Sequence, residues 1–239
     1  LVEPLKMENG WEFSDTPPDP LAGARFLYER YLAAAPAYTG RVTVPVLWDR
    51  ERGTIVSNES AEIIRMMNSA FPDLTGGTRD YYPQALRGEI DRINERVYTA
   101  INNGVYKAGF ATAQAPYEEA VAALFEALDD IEETLSLSRF LAGREITEAD
   151  WRLFTTLVRF DAVYHGHFKC NLRRIEDYPN LSNYLRQLYQ APGVAGTVDF
   201  AHIKTHYYGS HRTINPTGIV PAGPLLDYAH PHDRGDLAL

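Results

Sequence analysis

Apolar positions in the C-terminal two thirds of the chain recur every three or four residues, as they do along one face of an α-helix. A first stripe comprises Leu86, Ile90, Ile93, Val97 and Ile101. A second comprises Val121, Leu124, Phe125, Leu128, Ile131 and Leu135. The first stripe predicts a long helix that ends near residues 103–104, and the second predicts another. Shorter helices are predicted after Pro179 and over residues 193–206.

One further helix start is marked by side chains that can bind free amides. Thr147 is a typical N-cap residue, and Asp150 stands three positions later, where a capping box usually has Glu or Gln. Both side chains can pair with N–H groups that lack an intrahelical partner. The sequence therefore predicts a helix from this point to about Tyr164.

The first third of the chain has short runs of β-branched and aromatic residues instead. Residues 42–48 are predicted to form a strand, 49–53 a turn and 54–56 the returning strand of a β-hairpin. A helix is predicted to follow at residues 58–60 and to end near Phe71. Residues 1–5 are a candidate for a further short strand.

Pro45 interrupts the first strand of this hairpin. Proline has no N–H to donate, so it belongs at a sheet edge, a bulge or a special backbone feature. If the Val44–Pro45 bond is cis, the peptide groups of Val44 turn away from the sheet and can pair with an extended ligand.

The positions of glycine and proline residues predict where the domains begin and end. Residues 1–72 are predicted to form an α/β domain, 73–80 a linker that contains Gly76 and Gly77, and 81–210 an all-helical domain. Residues 211–239 are rich in Pro, Gly and His and have no period, so they are expected to be a tail that is ordered only where it packs on the body.

Composition narrows the possible functions. The chain has 239 residues, 45% of them hydrophobic and 23% charged, as in ordinary globular proteins. Its net charge of −9 argues against a nucleic-acid or anionic-membrane surface, since either needs a basic face. A single Cys excludes an internal disulfide and makes the cytoplasm the expected compartment.

Four motifs together carry a resemblance to a known family. They are MENGW at residues 7–11, YTGRVTVPVLWD at 38–49, NESAEIIRMMNSAF at 58–71 and HFKCNLRR at 167–174. In combination they resemble the glutathionyl-hydroquinone reductases, which are the Xi class of glutathione transferases. The resemblance implies an α/β plus all-α chain with the glutathione transferase fold. In that fold a thioredoxin-like N-terminal lobe, here expected to lack its first strand and helix, precedes a helical bundle domain.

The resemblance also implies a set of glutathione contacts. It assigns side-chain contacts to Trp11 and Arg41, a backbone contact to Val44, and the γ-glutamyl end of glutathione to Glu59 and Ser60. These roles suit the groups, because a guanidinium pairs with a carboxylate and free amides at a helix start attract anions. Taken singly, Arg41 is equally well a solvated hairpin residue and Ser60 a simple helix cap.

For the aromatic part of a substrate, the family positions correspond to Tyr106, Tyr164 and Tyr207. Phenols can hydrogen-bond the oxygens of a hydroquinone and stabilise negative charge on a departing ring. Tyr208 is a rival to Tyr207 for this place, and most of the 15 tyrosines are expected to be ordinary core or surface residues.

The family's nucleophile is a Cys in a Cys-Pro-Trp type motif, which these 239 residues do not contain. We therefore expect the nucleophilic Cys upstream of Leu1. Cys170 has Lys169 and two histidines nearby, which favour a thiolate, but a buried Cys of the helical domain is the better interpretation.

By resemblance, the expected activity is the reduction of glutathionyl-hydroquinones to hydroquinones through a cysteine mixed disulfide, with glutathione as co-substrate and no metal. The expected assembly is a homodimer through the helical domain. Two alternatives stay open: a related conjugating transferase or dehydroascorbate reductase, and a non-catalytic glutathione-binding module. His202 and His206 are four residues apart, but a third metal ligand is not evident, so they are expected to be structural.

Overall fold

The computed structural model describes residues 1–19, 21, 23–77 and 79–237. The chain divides into two compact units, an N-terminal unit, Leu1–Arg79, and a C-terminal unit, Asp80–Leu239. In the described part of the chain, no helix is long and apolar enough to cross a bilayer.

The described residues of the N-terminal unit form a β-hairpin and three helices, namely α1 (Leu27–Ala34), β1 (Leu47–Asp49), β2 (Thr54–Ser57), α2 (Ser60–Ser69) and α3 (Pro72–Thr75). The antiparallel register pairs Leu47 with Ser57 and Asp49 with Thr54. The Asp49 carboxylate closes the turn, because it accepts 2.9 Å hydrogen bonds from the backbone N–H groups of Glu51 and Arg52. Gly53 takes a positive φ of 64°, which suits glycine at the end of this turn.

Three expectations for the N-terminal unit need correction. The strand predicted over residues 42–48 covers only Leu47–Asp49, since Pro45 lacks an N–H and Thr43 is bound to a side chain instead of a ladder. Residues 1–5 form no strand; Val2 makes one isolated bridge to Phe13. Part of the predicted 73–80 linker is helical, because α3 occupies its first residues and Gly76 ends that helix with a φ of 60°.

The body of the C-terminal unit is built from helices, as its apolar stripes predict, whereas residues 211–233 of the tail contain none. Its helices are α4 (Arg87–Arg96), α5 (Gly104–Gly109), α6 (Gln114–Leu137), α7 (Glu148–Arg159), α8 (Pro179–Tyr189) and α9 (Phe200–Ser210). Wider π-helical turns, Val97–Asn102 and Phe160–Tyr164, extend α4 and α7. Short 3-10 turns lie at Gln84–Leu86, Ile175–Asp177, Ala195–Thr197 and Arg234–Asp236.

The start of α7 confirms the predicted capping pair. The Asp150 carboxylate accepts hydrogen bonds from the Thr147 N–H at 2.7 Å and from the Thr147 hydroxyl at 3.0 Å. It also accepts from the Leu141 N–H at 3.0 Å and the Tyr184 hydroxyl at 2.7 Å. Burial raises the pKa of Asp150, and these hydrogen bonds oppose the rise. One buried carboxylate thus joins α7, α8 and the loop before α7.

The last predicted helix is wrong at its start. The prediction placed it over residues 193–206, whereas α9 covers Phe200–Ser210. Asp199 sets the beginning, because its carboxylate accepts a 2.9 Å hydrogen bond from the His202 N–H. Before it, Gly193 has a φ of 84°, which interrupts helical geometry.

The tail after Ser210 is anchored by Arg234, whose side chain is buried. Its guanidinium donates to the carbonyl oxygens of Leu135, Ser138 and Arg139 at 2.7 to 3.0 Å, at the C-terminal end of α6. The Leu135 carbonyl belongs to the last turn of α6, where carbonyls lack intrahelical partners and carry the negative end of the helix dipole, and Ser138 and Arg139 follow that turn directly. This contact agrees with the expectation that the tail is ordered where it packs on the body.

Candidate functional site

A buried tyrosine organises the backbone around the predicted glutathione contacts in the N-terminal unit. Tyr31 of α1 is 2% exposed, and its hydroxyl donates to the Thr43 carbonyl at 2.8 Å. The same hydroxyl oxygen accepts from the Thr43 N–H at 3.3 Å and from the Asn58 side chain at 3.1 Å. Asn58 also donates to the Thr43 hydroxyl at 3.2 Å. The residues before Val44 and before Glu59 are therefore held side by side.

Val44 follows this network directly and is 41% exposed. Its peptide bond to Pro45 is cis. Within the described residues, the N–H and carbonyl of Val44 have no hydrogen-bond partner. A backbone donor and acceptor of this kind can pair with a peptide-like ligand, as a neighbouring strand would.

The start of α2 presents free amides close to the same segment. Ser57 fixes the approach, since its hydroxyl accepts from the Glu59 N–H at 3.0 Å and donates to the Glu62 carboxylate at 2.8 Å. Glu59 and Ser60 are exposed. The first two N–H groups of α2, at Ser60 and Ala61, donate to no acceptor in the described chain. A helix start of this kind favours a carboxylate.

The remaining two predicted contacts are less tightly organised. Arg41 is exposed, and its backbone carbonyl accepts a 2.6 Å hydrogen bond from the Tyr38 hydroxyl. Trp11 is half-buried, with its carbonyl accepting from the Leu27 N–H at 2.8 Å. The Lys6 ammonium lies 5.5 Å from the centre of the Trp11 ring.

The three predicted hydroquinone contacts come together in the C-terminal unit. The hydroxyl oxygen of Tyr207, on α9, lies 2.5 Å from that of Tyr106, on α5, and 2.8 Å from that of Tyr164, at the end of α7. Burial raises the pKa of Tyr164 and of Tyr207, and the neighbouring phenols add to the rise at Tyr164. At neutral pH both are therefore neutral hydrogen-bond donors.

The structure separates Tyr207 from its rival. The Tyr208 hydroxyl lies 3.5 Å from the Ala162 carbonyl and next to the backbone of His167, and its ring packs on His167 with centroids 4.6 Å apart. His167 is buried and lies 3.2 Å from His211, ring nitrogen to ring nitrogen. Burial and the nearby Lys169 lower the pKa of His167 to about 4.

A buried ring that sequence reasoning missed supports the tyrosine cluster. Phe168 is fully buried, and its ring centre lies 5.4 to 5.8 Å from those of the three tyrosines. Gly109 makes room for it, since a Cβ at that position would lie 2.3 Å from the Phe168 ring. The signal was present in the HFKC motif, but no periodicity distinguishes this phenylalanine from other core residues.

Cys170 has the properties of a structural cysteine. It is fully buried, and burial raises the pKa of its thiol to about 12, against a smaller lowering by Lys169. Its sulfur donates weakly to the Phe168 carbonyl at 3.8 Å. Because the thiolate is the nucleophilic form, Cys170 is unsuited to attack a substrate at neutral pH.

The histidine pair on α9 makes no visible metal centre. The His206 ring lies 3.5 Å from the Ser210 hydroxyl, nitrogen to oxygen. Over the residues that the structure describes, His, Cys, Asp and Glu side chains form no group of three or more that could hold a metal ion.

Comparison with known proteins places this architecture in a class. Residues 114–187 match the family model "Glutathione S-transferase, C-terminal domain". The glutathione-bound structure of YqjG, a glutathione transferase homologue from Escherichia coli K-12, superposes with a TM-score of 0.95 at 57% identity. That match covers 98% of this chain and 78% of the other. The chain therefore has the glutathione transferase fold, with a small sheet in a thioredoxin-like lobe and a helical domain.

Two curated relatives and one further structure define the family. Glutathionyl-hydroquinone reductase YqjG of Escherichia coli is 57% identical over 238 residues, which cover 98% of this chain and 73% of that protein. Glutathionyl-hydroquinone reductase PcpF of Sphingobium chlorophenolicum is 59% identical over 94% of this chain and 72% of its own length. The Xi-class enzyme from Natrialba magadii has a TM-score of 0.94 at 50% identity, over 98% of this chain and 72% of that one. The chain belongs to the glutathionyl-hydroquinone reductases, the Xi class of glutathione transferases.

Proposed function

We propose that this protein reduces glutathionyl-hydroquinones to hydroquinones with glutathione as co-substrate. The observation that carries the proposal is the cluster of three phenols, Tyr106, Tyr164 and Tyr207, whose hydroxyl groups meet within hydrogen-bond distance. Two relatives of more than 55% identity are named for this reaction, which supports the same conclusion.

Glutathione is bound, in this proposal, by the N-terminal unit. Val44 pairs through its backbone with the cysteinyl part of the tripeptide, and the free amides at Ser60 and Ala61 receive the γ-glutamyl carboxylate. Glu59 accepts from the γ-glutamyl ammonium. Arg41 pairs with the glycyl carboxylate and Trp11 covers the tripeptide. The exposed side chains and unpaired backbone groups described above suit these roles.

The chemistry is a thiol exchange in two steps. A thiolate attacks the sulfur of the conjugate, the carbon–sulfur bond breaks, and the ring carbon takes up a proton to give the hydroquinone. The mixed disulfide left behind is then attacked by a second glutathione, which releases oxidised glutathione and restores the thiolate. The phenol cluster donates to an oxygen of the ring and stabilises negative charge on it as it departs.

The attacking thiolate in this scheme is not Cys170. That residue is buried, with a thiol pKa raised to about 12. We propose that the nucleophile is the Cys of a Cys-Pro-Trp type motif, as the family resemblance implies. Because the nucleophilic Cys must stay in its reduced form to act, the cytoplasm is the proposed compartment. A homodimer through the helical domain is the proposed assembly, to be checked by light scattering on a sizing column.

The test is turnover of a glutathionyl-hydroquinone in the presence of glutathione. Chromatography should show equal amounts of hydroquinone and oxidised glutathione, and mass spectrometry should detect a glutathione adduct on the protein. The Cys170→Ser variant should keep full activity. Faster conjugation of a chlorinated aromatic acceptor, or faster reduction of dehydroascorbate, would favour the related enzymes. Glutathione binding without turnover of any of these substrates would favour a non-catalytic module.

A further inference from the structure

The three phenols form a chain of hydroxyls and not a ring of equivalent donors. Tyr207 stands in the middle, 2.8 Å from Tyr164 and 2.5 Å from Tyr106, oxygen to oxygen. Exposure changes along the chain, from 2% at Tyr164 and 6% at Tyr207 to 40% at Tyr106. The inner end is therefore dry and the outer end open.

Counting the hydroxyl protons shows in which direction the hydrogen bonds between the three phenols run. Each phenol has one proton to donate. Among the described residues, Tyr207 is the only hydrogen-bond partner of the Tyr164 hydroxyl. If Tyr164 donates, its proton has an acceptor. If Tyr164 accepts, its own proton is left buried without a partner, which is unfavourable. Tyr164 therefore donates to Tyr207, and Tyr207 donates to Tyr106.

The consequence falls on Tyr106. Its oxygen already accepts the proton of Tyr207, so its own O–H points to no acceptor within the described part of the chain. Hydrogen bonds in a row polarise one another, so the outermost O–H becomes a stronger donor than a single phenol. Burial keeps the pKa of Tyr164 and Tyr207 high, and the hydrogen bond from Tyr164 partly offsets the rise at Tyr207. This ordering agrees with the direction derived from geometry.

We propose that Tyr106 alone donates to a ring oxygen of the bound hydroquinone, and that Tyr207 and Tyr164 are positioning residues that act through it in that order. The inference rests on the proposed function, because it specifies how the phenol cluster recognises an aromatic ring with oxygen substituents. It narrows the ligand class to rings that carry a hydrogen-bond acceptor, and it predicts that the three residues are unequal.

The test is a double-mutant cycle on ligand preference. The probes are a glutathionyl-hydroquinone and S-phenylglutathione, whose ring has no oxygen, and the quantity is the ratio of their dissociation constants by calorimetry. We expect the Tyr106→Phe variant to lose roughly tenfold in this ratio, as for loss of one good hydrogen bond. Tyr207→Phe should lose less, and Tyr164→Phe least.

The energetic coupling between Tyr164 and Tyr207 tests whether Tyr164 acts through Tyr207. If Tyr164 acts only through Tyr207, the Tyr164→Phe/Tyr207→Phe double variant has the same ratio as Tyr207→Phe. Equal, multiplying losses at all three positions would overturn the proposal, because they would indicate three independent contacts. Tyr208→Phe is the matched control, since it removes a neighbouring, partly buried phenol of the same helix, and it should leave the ratio unchanged.

A measurement without ligand separates this inference from the proposed function. Hydroxyl protons can be assigned by NMR to their own rings through deuterium isotope shifts at tyrosine Cζ. The Tyr164 and Tyr207 hydroxyl protons should exchange slowly with water, and that of Tyr106 quickly. Slow exchange at Tyr106 with fast exchange at Tyr164 would overturn the direction. If neither conjugate binds, the proposed function fails, and the exchange rates alone then decide the direction.

Discussion

Each of the two units of this protein is stabilised internally by a different kind of interaction. In the C-terminal unit, side chains from all six helices form one continuous apolar core. In the described part of the N-terminal unit, the buried apolar side chains are Leu27 and Tyr31, and α2 buries none. The N-terminal unit depends instead on hydrogen bonds from side chains to backbone, at Tyr31, Asp49 and Ser57.

This difference matches the two proposed roles, which are glutathione binding by the N-terminal unit and hydroquinone binding by the phenols of the C-terminal unit. Backbone groups that are fixed by side chains but otherwise unpaired, as at Val44 and Ser60, can bind a peptide-like ligand. Closely packed rings, as around Phe168, can hold three hydroxyls in fixed positions. The comparison predicts that hydrogen-bond changes in the N-terminal unit affect glutathione binding, whereas changes to buried polar groups of the C-terminal unit outside the phenol cluster affect stability.

The largest effect is expected from Asp150→Ala in the C-terminal unit. The change leaves buried donors at Leu141, Thr147 and Tyr184 without their acceptor, which should lower the free energy of unfolding by about 3 kcal/mol. Urea unfolding followed by circular dichroism measures it. Glu126→Ala, on the exposed side of α6, should cost less than about 0.5 kcal/mol. A similar loss in both variants would show that the hydrogen bonds of Asp150 do not stabilise the C-terminal unit.

A smaller loss is expected from Arg234→Ala. The change frees three carbonyl oxygens in the last turn of α6 and the two residues after the helix, and it removes the buried anchor of the tail, so about 2 kcal/mol of stability should be lost. Thermal unfolding and limited proteolysis of the tail measure the effect. Arg212→Ala removes an exposed arginine of the same tail and should change neither. Equal behaviour of the two variants would show that the tail needs no anchor.

In the N-terminal unit, Tyr31→Phe tests the link between hydrogen bonds and binding. It removes the hydroxyl that joins Thr43 to Asn58, so glutathione should bind roughly fivefold to tenfold more weakly by calorimetry, as for the loss of about 1 kcal/mol. Tyr28→Phe is the control, because Tyr28 lies on the same helix and is exposed. Unchanged affinity in Tyr31→Phe would separate the network from the binding site.

The smallest effect at neutral pH is expected at His167, where the change appears only on acidification. Its pKa is lowered to about 4 by burial and by Lys169, with His211 as its other neighbour, while the unfolded chain has the ordinary value of about 6.5. Between these values the unfolded state binds more protons, so stability is complete above pH ~6.5 and falls as the pH drops towards 4.

The His167→Gln variant tests this pH dependence. Urea unfolding between pH 4 and 7 should show a shallower loss of stability than in the parent protein. His230→Gln, at an exposed position of the tail, should retain the full slope. The same slope in both variants would assign the acid sensitivity to other groups.

Local signals in the sequence predicted much of the fold. The stripes of α4 and α6 and the Thr147–Asp150 cap depend on residues three or four positions apart, and the structure confirms them. The predictions of a strand over residues 42–48 and a helix over 193–206 were wrong in their bounds. Thr43 is hydrogen-bonded to the side chain of Tyr31, and Asp199 caps the start of α9 at a later position than predicted. Propensity contains no information about such partners.

The candidate site depended on resemblance more than on pattern. Tyr106, Tyr164 and Tyr207 are 43 to 101 residues apart along the chain, and no spacing rule joins them. The same is true of Phe168 against Gly109 and of Arg234 on the end of α6. These contacts arise from tertiary packing, so only a family pattern or a structure reveals them.

The central proposal is that the N-terminal unit binds glutathione and that the phenols of the C-terminal unit bind the hydroquinone. Calorimetry with free glutathione and with a glutathionyl-hydroquinone, on Arg41→Ala and Tyr207→Phe, tests it directly. Arg41→Ala should weaken both ligands by the same factor. Tyr207→Phe should leave glutathione unchanged and weaken only the conjugate. If Tyr207→Phe weakens both ligands equally, or Arg41→Ala weakens neither, the account is contradicted.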